Sequence, residues 1–122
     1  MNYRHTDPRV LFGAIGDDLD GFRALSQTFL DIAPPLCQRL QAAIRAGDSA
    51  AALHHAHSLR GSTALVGAAQ LSRLLHEVEA LARRGAPALA LLPELARLFD
   101  AVLHEVGHGI LHFQGGACRG PD

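Results

Sequence analysis

Residues 56–83 read "AHSLRGSTALVGAAQLSRLLHEVEALAR", two helical patterns separated by a glycine. In the second half Leu71, Leu74, Leu75, Val78 and Leu81 recur at spacings of three and four, which places them on one face of an amphipathic helix. That helix is predicted from about Ala68 to Arg84, with Arg83 and Arg84 favouring its C-terminal end and Gly85 ending it. The first half belongs to a helix over about Ala50 to Val66, which Asp48 or Ser49 can cap and Gly67 stops.

The same period extends outward on both sides. Leu36, Leu40 and Ile44 lie one turn apart and lead to Gly47, a natural C′ residue. Before them, an acidic cap at Asp17 or Asp18 opens a helix that faces inward with Phe22, Leu25, Phe29 and Ile32. Pro34 and Pro35 lack N–H groups and disfavour helix in the residue before them, so a kink or a new helix start is expected there. Downstream, a helix starting with Pro87 at N1 and running to about Leu111 is predicted to bury Leu91, Leu95, Leu98, Val102 and Val106. Helices of this length joined by a few residues pack most simply as an all-α, antiparallel up-and-down four-helix bundle, here with a short additional N-terminal helix or arm. The expected boundaries are an arm over 1–16, the bundle over 17–112 and a disordered tail over 113–122.

Composition agrees with one helical domain. The chain has 122 residues, five Phe, one Tyr and no Trp, and its alanine and leucine excess favours helix over sheet. Eleven basic against twelve acidic residues give a net charge of −1, too balanced to attract nucleic acid or an anionic membrane. Eight histidines make the charge climb as pH falls through their reference pKa near ~6.5. Cys37 and Cys118 form no CxxC pair and no disulfide framework, which fits a reducing compartment. "MNYRHTDPRV" lacks a charged n-region followed by an apolar h-region, and no apolar run approaches the ~18 residues of a membrane span. The expectation is a soluble cytoplasmic domain.

On a helical wheel Leu53, Arg60, Gly61 and Ala64 fall within about 60° of His57, with His54 at the edge of that sector. Ala52, Leu59, Thr63 and Val66 lie on the opposite side and include the obvious core residues, so His57 points outward. Gly61 is the oddity, because glycine costs ~1 kcal/mol relative to alanine inside a helix and caps nothing here. A bare backbone beside an exposed imidazole lets another protein approach the ring, and a nearby guanidinium can stabilise arriving negative charge. Those are the needs of a histidine that accepts a phosphoryl group from a partner. His55 leans toward the core, where a hydrogen bond is expected to satisfy it, and Glu79 is expected to be a surface or bundle-network carboxylate rather than a participant in the site.

The stretch resembles histidine-containing phosphotransfer (HPt) domains of multistep phosphorelays, whose motif reads His-x-x-Lys-Gly with a preceding alanine, small residues and a glycine after it, and a leucine-rich helix with a late glutamate. Ala56, His57, Leu59, Gly61, Gly67, Leu71 and Glu79 occupy those places, and "FLDIAPPLCQRLQAAIRAGD" fits the segment before them, so the resemblance covers about residues 18 to 105. It implies that His57 is the phospho-acceptor through Nε2, that Arg60 offsets the phosphoryl charge, and that Leu53, His54, Gly61 and Ala64 dock a receiver. Arg60 stands where the family has lysine, which keeps the charge but replaces an ammonium with a planar fork. The resemblance further implies response-regulator receiver domains and a hybrid sensor histidine kinase as partners, a monomer, and no cofactor or metal of its own, Mg²⁺ belonging to the receiver. No Gly-rich phosphate loop or kinase-type motif occurs, which fits a carrier without its own kinase activity.

Two other readings compete. "HEVGH" at 104–108 matches the HExxH pattern of zinc proteases, in which two histidines bind zinc and the glutamate is the base. His104 and His112 are ~12 Å apart along a helix, too far to share an ion, and a helical bundle lacks a peptide cleft, so proteolysis is not expected, while Zn²⁺ or Ni²⁺ binding by His104 and His108 stays open. The other is a non-catalytic helical adaptor that binds receivers. Such a protein has no need of an exposed histidine beside a helix-weakening glycine.

Overall fold

A computed structural model describes residues 5–6 and 19–119, with the backbone alone described at 19, 20, 22 and 109–119. Its elements are α1 (Leu19–Ala46), α2 (Ser49–Leu65), α3 (Ala69–Arg83) and α4 (Leu92–Arg119), the last entered through a 3₁₀ turn at Leu89–Leu91. The short connections reverse the chain, so sequence neighbours lie antiparallel. α2 packs on α1 and α3, and α4 closes the ring mainly against α1. The result is the expected all-α four-helix bundle, with no strand among the described residues.

Three of the helix ends follow one physical rule. At the end of α1 the Gly47 N–H bonds the Ile44 carbonyl at 3.1 Å and the Asp48 N–H bonds Ala43 at 3.0 Å, the paired bonds of a Schellman cap. Gly47 takes φ 72° and Gly67, in the same role after α2, takes φ 67°, a left-handed geometry that glycine adopts without a Cβ penalty. α3 closes in the same way at Gly85. Asp48 then caps α2 by accepting from the Ala51 N–H at 3.0 Å.

The core contains Phe29, Leu40 and Ile44 of α1, Leu59 of α2, Leu71, Leu74, Leu75 and Val78 of α3, and Leu95, Leu98, Val102 and Val106 of α4. Leu36, Leu81 and Leu91 pack against it half-buried.

Four expectations need correction. α1 is one helix through Pro34 and Pro35, so no new helix starts there. Ala33, Cys37 and Leu40 bury the same stripe on either side, and this packing carries the helix past two missing N–H groups. Leu25 and Ile32 are exposed, since the buried face runs through Ser26, Phe29, Ala33 and Cys37, where Phe29 fills the core and the small Ser26, Ala33 and Cys37 let neighbouring helices approach. α4 begins at Leu92 rather than at Pro87, because Pro93 fits the first turn, where no i−4 carbonyl needs its N–H. Residues 113–119, expected to be disordered, continue α4 to Arg119. The two glycines there cost about 1 kcal/mol each but leave the hydrogen-bond ladder intact. The proposed cap at Asp17 or Asp18, the side chains of Phe22, Leu111 and His112, and the arm except 5–6 lie outside the described residues.

Candidate functional site

His57 stands on α2 with its side chain 69% exposed, while Ala52, Ala56, Leu59 and Thr63 of the same helix are buried. The helix therefore presents the imidazole outward because its apolar side is committed to the core. Thr63 ties α2 to α3 just below the site: its hydroxyl donates to the Arg60 carbonyl at 3.0 Å or meets the Ser72 hydroxyl at 2.8 Å.

Beneath His57 lies Glu79 of α3, with 0% of its side chain exposed. Its Oε2 accepts from Arg60 Nε at 2.5 Å, and its Oε1 accepts from Arg60 Nη2 at 3.5 Å and from Arg83 Nη2 at 3.4 Å. The same Oε1 lies 3.4 Å from His57 Nδ1. Burial alone pushes the Glu79 carboxyl up, but the hydrogen bond and charge of Arg60, followed by those of His57, outweigh it and hold the group below the usual carboxylate range. Glu79 is thus ionised at neutral pH and can only accept hydrogen bonds, so the neutral imidazole facing it carries its proton on Nδ1. Nε2 keeps the lone pair, at the distal edge of an exposed ring.

The sequence profile of the Hpt domain matches residues 24–109. The chain is a member of the Hpt family. In fold it is similar to histidine-containing phosphotransfer protein B (HptB) from Pseudomonas aeruginosa PAO1, with 32% identity, a TM-score of 0.81, and coverage of 91% of this chain and 98% of the other. It also shares its fold with the HPT domain of an Hpt sensor hybrid histidine kinase from Shewanella, at 22% identity and a TM-score of 0.70 over 98% of this chain and 100% of that one. Against curated proteins the sequence has no match. As an Hpt domain the chain is a histidine phosphotransfer carrier of phosphorelays, in which receiver domains are the partners.

Of the residues singled out in the Hpt motif, the structure brings some together and separates others. Leu53, His54 and His57 line an open depression of about 310 Å³ with Ala50, Glu79 and Arg83. Arg60 does not line it, since its guanidinium is turned onto Glu79. Gly61 and Ala64 are exposed on the following turns of α2, and a Cβ built on Gly61 meets no atom within 4 Å. Beyond them Leu25 and Ile32 of α1 and Leu65 of α2 line an exposed apolar groove over Phe29 and Val66.

Glu79 is a bundle-network carboxylate and not a surface one, but it also lies against His57, where the sequence set it apart from the site, and Arg83 joins the network. The signal for Glu79 was its spacing: it lies four residues after Leu75 and eight after Leu71, on the buried stripe, where a carboxylate needs cations. Arg83 follows one turn later on that line. His55 departs from expectation, because its Nδ1 is buried with no hydrogen-bond partner among the described residues. Its ring packs edge-on against His54 instead, centroids 5.3 Å apart.

The HEVGH stretch is put to another use. Glu105 is buried and accepts from the backbone N–H groups of His5 and Thr6 at 3.0 and 3.1 Å and from the Thr6 hydroxyl at 3.1 Å, with His5 Nδ1 at 2.5 Å. It anchors His5 and Thr6 to α4. Among the described residues no group of three His, Cys, Asp or Glu side chains is placed to hold a metal ion, and no helix is long and apolar enough to cross a membrane.

Proposed function

We propose that His57 is the phospho-acceptor of this Hpt domain, that Nε2 is the attacking atom, and that Glu79 fixes the tautomer which makes it so. The observation that carries this reading is the contact of His57 Nδ1 with a buried, ionised carboxylate under a ring whose outer edge is open to a partner. In the transfer, the Nε2 lone pair forms the N–P bond as the P–O bond to a receiver aspartate breaks, its electron pair leaving on that carboxylate. The Nδ1 proton stays in the hydrogen bond to Glu79, whose charge offsets the positive charge the ring acquires. Passage to the next receiver reverses these bond changes.

Arg60 keeps a positive charge one turn from the acceptor and spends its direct bonds on Glu79, so its first role is to hold that carboxylate ionised and in register. Gly61 leaves backbone clearance for the receiver. Leu53, His54 and Ala64 contribute to the docking face, and the apolar groove of Leu25, Ile32 and Leu65 extends it. The receiver brings Mg²⁺ and the acidic pocket, so the carrier uses no metal, nucleotide or kinase activity of its own. A hybrid sensor histidine kinase upstream, a response regulator downstream, a monomeric state and a cytoplasmic location complete the reading.

Receiver domains charged with radiolabelled phosphate test it. Acid-labile, base-stable label should reach the wild type and not His57→Gln. Label on both proteins would remove His57 from the role, and receiver binding without label on either would make the chain an adaptor.

A further inference from the structure

We infer that the phosphoryl group on His57 is received by Arg83, and that Arg60, the residue in the motif position, does not contact it directly. The inference rests on His57 being the acceptor. Three observations carry it. First, the depression that His57 lines is also lined by Arg83 and not by Arg60, so a group seated there meets the Arg83 guanidinium. Second, the two arginines differ in commitment. Arg60 closes its fork on Glu79 through a 2.5 Å Nε bond and a second contact at 3.5 Å, and its side chain is 36% exposed. Arg83 holds Glu79 through one contact at 3.4 Å, and its side chain is 55% exposed. Third, Glu79 Oε1 meets His57 Nδ1, Arg60 Nη2 at 3.5 Å and Arg83 Nη2 at 3.4 Å, so both guanidiniums stand near the imidazole, and the lining of the depression together with the looser hold on Glu79 singles out Arg83.

Charge follows the same logic. A phosphorylated side chain adds about 1.5 to 2 negative charges. Moving Arg60 onto it would leave Glu79 with only the 3.4 Å contacts of Arg83 and His57 and with a new anion nearby, a poorly compensated buried charge. Arg83 can swing from its long contact to the phosphoryl oxygens while Arg60 keeps Glu79 neutralised. The division of labour gives each charge a cation in both states: Arg60 for the carboxylate throughout, Arg83 for the phosphoryl group once it arrives.

The test is the partition of label at equilibrium between a charged receiver domain and wild type, Arg83→Gln, Arg83→Lys and Arg60→Gln, with thermal unfolding of each unphosphorylated protein alongside. Arg83→Gln should lower the phosphorylated fraction relative to the receiver about tenfold, the weight of one charge-assisted hydrogen bond, and leave the unfolding midpoint near wild type. Arg83→Lys should recover most of the loss. Arg60→Gln should lower the midpoint, with a smaller effect on partition. Wild-type partition in Arg83→Gln, or losses as large in Arg60→Gln, would overturn the assignment. No label on His57 of the wild type would overturn the acceptor reading itself, and the inference with it.

Discussion

Glu79 is the residue on which the charges of the site converge. A carboxylate with no exposed surface, held by Arg60, Arg83 and His57, contributes to stability only while ionised. Its pKa is depressed in the folded chain, so this contribution is present above the unfolded value near 4.5 and is lost as pH falls through the lower folded value. Glu79→Gln should cost about 1–3 kcal/mol at neutral pH and flatten the acid limb of a urea-midpoint profile. It should also slow phosphotransfer, because an amide can donate to Nδ1 and so no longer selects the Nδ1–H tautomer. An unchanged acid limb would take Glu79 out of the pH response. At Gly61 the two effects have opposite signs: Gly61→Ala should raise stability by about 0.5–1 kcal/mol, since the new Cβ meets nothing within the chain, and should slow transfer by blocking the receiver's approach. Faster or unchanged transfer would contradict the clearance role. The exposure of His57 and Gly61 was legible in the sequence because local spacing fixes a helical face. Which arginine lines the depression beside His57 was not, because it depends on how α3 lies against α2.

Among the elements, α2 and α3 were readable nearly to the residue, since a glycine with positive φ ends each and an apolar stripe runs between. α1 was not. Two adjacent prolines are a strong local stop, and the burial of Ala33, Cys37 and Leu40 around them overrides it, a tertiary effect absent from local sequence. Pro35 is exposed, so its ring contributes little to the core while its missing N–H leaves the Asp31 carbonyl without a helical donor. Pro35→Ala should therefore stabilise the chain by about 1–3 kcal/mol in urea denaturation. A loss of stability would show that the ring holds the path of α1. The exposure of Leu25 and Ile32 had the same root, for two stripes of α1 satisfy the 3.6-residue period and only packing chooses between them.

At the scale of the whole molecule, the bundle leaves one side of α2 exposed and commits the other to a core that includes the thiol of Cys37. Burial, with the charge of Asp100, pushes that thiol from 9.0 up to about 11, against a weak hydrogen bond from Gln41. A raised folded pKa means the contribution to stability is complete below about 9 and is lost as pH rises toward about 11, and Cys37→Ala should flatten that alkaline limb. An alkaline limb identical in the variant would place its origin elsewhere. The bundle architecture itself was legible because short connections between amphipathic helices leave few alternatives. The most direct test of the central claim is an NMR measurement of phosphorus–nitrogen coupling in ¹⁵N-labelled protein charged by a receiver domain. Coupling to Nε2 of His57, with Nδ1 still protonated, is the predicted result; phosphorus on Nδ1, or on any other histidine, would contradict it.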